Sequence, residues 1–163
     1  MKKSILFLLP ILLTSCGGKD SYYMNESNFF LVMTNIQYYP EEYVNKELEF
    51  DSFTYKLTST SNEEFFCVVR KCASGFGCKC GKDTIIGFVV DKDLGLPEPK
   101  NQYENTNDKS WVHINGTLET TNKVDIEILG ADDIAEKVSF LTLKINSFTL
   151  IEDYSSLNYY VDK

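Results

Sequence analysis

The chain has 163 residues and a formal net charge of −8. That length supports one domain with a real core. The acidity excludes the basic surface that phosphate binding needs, so nucleic acid is not an expected partner.

Residues 1–3 are a short basic start, and residues 4–13 are an apolar run too short to span a bilayer as a helix. Leu13, Thr14, Ser15 and Cys16 follow. A basic start, a short apolar stretch and small residues before a cut describe a secretory signal. The cysteine directly after the small residues resembles a bacterial lipoprotein lipobox. The resemblance implies diacylation of the Cys16 thiol with chains such as palmitate, cleavage before Cys16, and acylation of the new amine. The alternative is an ordinary signal peptide with a chance cysteine. Several acyl chains hold far more firmly than one, so the expected location is the bacterial cell envelope, lipid-anchored to the inner or the outer membrane. Residues 1–15 then leave the fold, and losing Lys2 and Lys3 takes the charge to −10. Residues 16–24 read as a lipidated tether, and residues 25–163 as the domain. No other apolar run approaches 18 residues.

Residues 25–38 place Phe29, Val32, Met33 and Ile36 on one helical face. Asn25 or Ser27 is suited to cap that helix, and Pro40 to stop it. Residues 46–58 are rich in aromatic and β-branched side chains and read as a strand. Their apolar phase flips midway, from Leu48 and Phe50 to Phe53, Tyr55 and Leu57. Such a flip predicts a β-bulge. Residues 63–71 alternate as a strand with Phe65, Cys67 and Val69 on one face. Residues 84–91 are a short apolar strand, and residues 95–108 a loop with two prolines. Strands follow at 110–119 and 123–129, then a turn or single helical turn at 130–137. One long strand is expected at 138–152, with Leu141, Leu143 and Ile145 inward. One amphipathic helix and five or six curved strands suit a mainly β fold, a small OB-like barrel, with a β-sandwich as the alternative.

Several segments in order resemble the YcgQ-like permease-partner family. They are residues 28–36 and 38–50, "FFCVVR" (65–70), residues 78–90, "WVHINGTL" (111–118) and residues 157–161. The resemblance implies an OB-like domain of largely unassigned activity, linked to a membrane permease. It also marks Cys78 and Cys80 as an inherited pair. That family's cysteines tend to be adjacent, whereas Lys79 separates them here, and Cys72 looks additional.

Besides Cys16 the chain has Cys67, Cys72, Cys78 and Cys80. An exported compartment permits two disulfides in any of three connectivities. The strand phase sets Cys67 apart as a core thiol. A bridge between Cys78 and Cys80 across one residue would be strained. Cys72, Cys78 and Cys80 can instead act as thiolate ligands, with Asp83 or His113 as the fourth, and thiolates favour zinc or another soft metal. Lys71, Lys79 and Lys82 would support the thiolate form. Arg70, the only arginine, is suited to hold Asp83 or a substrate anion in a two-point contact; a surface ion pair is the plainer alternative. No nucleophile elbow, phosphate loop, zinc-protease motif or dinucleotide fingerprint occurs, so no catalytic residue is assigned and an enzyme is not expected. The expected function is a lipid-anchored binding module for a soft metal beside a permease. The alternatives are a disulfide-stabilised interaction lipoprotein without metal and, further off, a thiol oxidoreductase.

Overall fold

A computed structural model describes residues 21–72, 79–80, 83–130 and 133–161, with the backbone alone at 79, 80 and 83. Residues 1–15, Cys16 and Cys78 therefore lie outside the described residues. The order is β1 (Ser21–Met24), α1 (Phe29–Tyr38), β2 (Glu47–Thr58), β3 (Glu64–Cys72), β4 (Lys79–Cys80), β5 (Asp83–Val90), β6 (Trp111–Thr117), β7 (Lys123–Leu129), β8 (Ala135–Leu141), β9 (Lys144–Leu150) and β10 (Tyr160–Val161). Among the described residues, no helix is long and apolar enough to cross a membrane.

The helix is ten residues long and has no side-chain cap. Asn25 instead organises its approach: its side-chain oxygen accepts from the Ser27 and Asn28 backbone N–H groups, and its carbonyl accepts from that of Phe29. A helix this short is marginal alone. Phe29, Met33 and Ile36 are fully buried, and three such side chains contribute roughly 5–9 kcal/mol. Packing, not propensity, holds α1.

The fold is mainly β. The large sheet runs β4-β5-β3-β2-β6-β9, with β1 added beside β2 and β10 beside β3, and β7-β8 is a separate hairpin. The barrel expected from the sequence does not close. Its two ends share one isolated parallel bridge, Val89 to Thr142, and one bond from the Leu143 N–H to the Val89 carbonyl. The contact falls at the strand ends, where β5 ends at Val90 and the chain enters β9 at Lys144.

Both faces of the sheet are covered. One core joins α1 to Leu48, Phe50, Val68, Phe88, Ile114 and Leu141. The other lies between Phe53, Tyr55, Cys67, Val69 and Trp111 and the hairpin residues Ile126, Ile128, Val138 and Phe140. This explains the phase flip in β2. The strand pairs with β3 and β6 without a register shift, so the expected bulge there is absent. Ser52 and Thr54 continue the face of Leu48 and Phe50 and are buried with it. The real irregularity falls between Asn115 and Gly116, where β6 meets β9. There Asn146 is the extra residue, and its amide donates to Asn115 and Thr117.

Three further expectations change. Ser21–Met24, read as tether, is a strand in parallel register with Glu47–Phe50. Residues 135–137, read as turn, begin β8. The long strand at 138–152 is two strands, broken where Thr142 and Leu143 dock on Val89. Leu141 and Leu143 are still buried, so the alternation survives a break that it does not reveal.

Gly87 lies opposite Val69 in the β3–β5 ladder, and a Cβ there would sit 2.1 Å from the Val68 carbonyl oxygen. Gly87→Ala is expected to cost about 2–3 kcal/mol, as overpacking does. An unchanged thermal unfolding midpoint would contradict this packing.

Candidate functional site

The cysteine-bearing corner is built by the ends of β3, β4 and β5. Cys72 is the last residue of β3 and pairs in register with Thr84, which pairs on its other side with Lys79. Cys80 and Asp83 are themselves register partners. Two predicted ligands thus stand at paired backbone positions, about 5 Å apart as such pairs are, whereas Cys72, in register with Thr84, belongs to the opposite face of the sheet. Cys72 is buried against the helix-side core. Cys67 is fully buried in the other core, beside Tyr55 and Val69. Burial pushes the Cys67 thiol far up, so it stays protonated and is a poor ligand or nucleophile.

Arg70, two residues before Cys72, is 1% exposed, so it is not a surface ion pair. It sits where the sheet forks. β2 pairs with β3 from Phe53 onward but with β1 up to Phe50, and β3 pairs with β10 from Lys71. Into that gap the Arg70 guanidinium donates to the Asp51 carbonyl at 3.1 Å and to the Glu26 carboxylate. Its flat faces lie over Trp111 at 4.8 Å and Phe29 at 5.2 Å. Its carboxylate partner is Glu26, which is 39% exposed; the Asp83 side chain lies outside the described residues. Burial pulls the guanidinium below its ordinary range, and the Glu26 bond pulls it back. It remains charged at any working pH. Among the described residues, the Arg70 Nε and the Ser52 hydroxyl have no partner.

His113 is not brought to the cysteines. It lies on β6, and the order β6-β2-β3-β5-β4 puts two strands between β6 and β5. Strands are spaced about 4.8 Å apart, too wide for a shared shell with Cys80 or Asp83. Its register partner is Asp51. Nδ1 lies 2.7 Å from Asp51 Oδ1 and Nε2 lies 3.2 Å from Glu49 Oε1. Among the described residues, no three His, Cys, Asp or Glu side chains converge on one point.

Sequence reasoning did not foresee that Lys71 and Lys109 are buried. The Lys71 ammonium donates to the carbonyls of Tyr103 and Glu104 and to Asn105 Oδ1. Lys109 donates to the carbonyls of Asn101 and Glu104. Asn107 ties the same loop to the carboxyl-terminal segment through Leu157 and Tyr159, and its carbonyl accepts from Trp111 Nε1. The loop expected at 95–108 is therefore fixed against β3, near the cysteine corner. The one available signal was Lys71 itself, directly after a run of strand residues, where a charged side chain must find acceptors.

The profile of the DUF1980 C-terminal domain matches residues 12–137. The chain belongs to that family. The DUF1980 C-terminal domain family is uncharacterised. Its match spans the helix, the fork and the cysteine corner and ends inside β8. No curated protein and no solved structure matches the chain.

The Glu26–Arg70 pair generates a test within this DUF1980 domain. Removing one partner of a buried pair leaves a charge uncompensated and costs about 3–5 kcal/mol. The half-exposed carboxylate tempers that, so Glu26→Ala is expected to cost about 2–3 kcal/mol in chemical denaturation. A value within about 0.5 kcal/mol, usual for surface sites, would show that the pair carries no weight.

Proposed function

We propose that this chain is an exported, lipid-anchored binding module, held through Cys16 and working beside a membrane permease as in the YcgQ-like group. It takes up a soft metal ion, zinc foremost, at the corner bearing Cys78, Cys80 and Asp83; Cys72, on the opposite face of the sheet from Cys80 and Asp83, stays outside the shell. The observation behind the reading is the register pairing of Cys80 with Asp83. Thiolate and carboxylate arms from neighbouring backbone positions can reach one centre at the about 2.3 Å and 2.0–2.2 Å that zinc requires. His113 is left out of this shell because β6 lies apart from β4 and β5. The role is binding, without a catalytic step and without nucleic acid.

The competing reading is a disulfide-stabilised interaction lipoprotein. It draws on the burial of Cys72 in an apolar core, surroundings that disfavour a charged thiolate.

Intact mass with and without alkylation, together with zinc content, separates the two. Unbridged, alkylatable thiols at positions 78 and 80 with one retained zinc are expected, and Cys80→Ser should release the metal. Two bridges and no zinc would overturn the metal reading. Retention should also fall as pH drops, because thiolate ligands must lose protons to bind.

A further inference from the structure

His113 is the only histidine in the chain, and the cysteine corner does not use it. Its imidazole alternates with the buried Val112 and Ile114 and is 34% exposed. On the same side of the sheet lie Asp51 and Glu49 of β2. Neutral imidazole has one N–H. In the neutral ring the shorter contact claims that N–H: Nδ1–H donates to Asp51 Oδ1, 2.7 Å away. Nε2 then turns its lone pair toward Glu49 Oε1 at 3.2 Å. Two acceptors that close repel each other unless a cation stands between them.

The spacing suits a metal. Two ligand atoms about 2.0–2.2 Å from one zinc ion stand roughly 3.0–3.5 Å apart at octahedral to tetrahedral angles. Asp51 behind the ring supplies the other usual element, a carboxylate that fixes the tautomer and aims the free nitrogen.

We infer that His113 Nε2 and Glu49 form an open, two-ligand site for a borderline divalent cation such as zinc, with Asp51 as the positioning residue and water filling the remaining positions. Imidazole nitrogen with carboxylate oxygen favours zinc, copper or nickel over the softer ions that thiolates select. Two protein ligands hold such an ion loosely, so it exchanges readily. The site uses no residue of the cysteine corner and stands whether or not that corner binds metal.

The bland alternative is an imidazolium that donates to both carboxylates and binds nothing. The single histidine makes the distinction direct. The test uses the full-length chain in detergent, nitrogen-15 labelled, with Cys78→Ser and Cys80→Ser, titrated with zinc chloride at neutral pH. Long-range proton–nitrogen spectra then report the one imidazole. The expected result is a saturable, one-to-one shift of Nε2 while Nδ1 keeps its proton. Glu49→Gln should raise the half-saturation concentration about tenfold, and Asp51→Asn about 10- to 100-fold. The inference is overturned by both ring nitrogens carrying protons with no response to zinc. A shift indifferent to Glu49→Gln overturns it equally. Zinc held by the unsubstituted chain without any movement of the His113 signals would leave the cysteine corner standing alone.

Discussion

A positive charge buried where two strands part holds this fold in register. The β2 and β3 ladders separate at Asp51 and Arg70, leaving a carbonyl oxygen inside the protein that needs a donor. Arg70 supplies it. The same guanidinium reaches Glu26 in the turn before α1, and lies between Phe29 of α1 and Trp111 of β6. One side chain thus ties together the turn, the helix and three strands. A lysine cannot do this, because its single ammonium lacks both the fork and the flat faces. That accounts for an arginine at this one position in a chain otherwise supplied with lysine.

The functional geometry follows from the fork. Three consecutive residues leave it in different directions: Arg70 into the gap, Lys71 to the Tyr103 and Glu104 carbonyls, and Cys72 into the helix-side core. Asp51 is used twice. Its carbonyl accepts from Arg70 and its carboxylate accepts from His113. The cysteine corner and the His113 cluster are therefore separate in space yet built off the same break in the ladder.

Much of the fold was legible because burial leaves a periodic mark. The helix stripe at Phe29, Met33 and Ile36 and the alternation around Cys67 both mark buried faces. The misreadings share one cause, which is that periodicity reports burial and not pairing. In β2 the second core looked like a bulge, because Ser52 and Thr54 hid the continuing face. Between Leu141 and Ile145 the alternation ran on through a strand break. The partners of Arg70 and His113 were not legible at all. Glu26 is 44 residues from Arg70, and Asp51 is 62 from His113, so only strand order brings them together. For the cysteines, spacing suggested a cluster, and the register supports neighbouring positions for Cys80 and Asp83 alone.

The short parallel strand β1 has a mechanical consequence. It enters the sheet from the amino-terminal side, along the axis of β2. A pull on the chain ahead of Ser21 therefore runs along the strand and loads its ladder bonds together, in shear, instead of peeling them apart singly. Behind them stand Glu26 and its grip on Arg70. Because β2 is an inner strand, such a load would pass to the centre of the sheet and not to its rim.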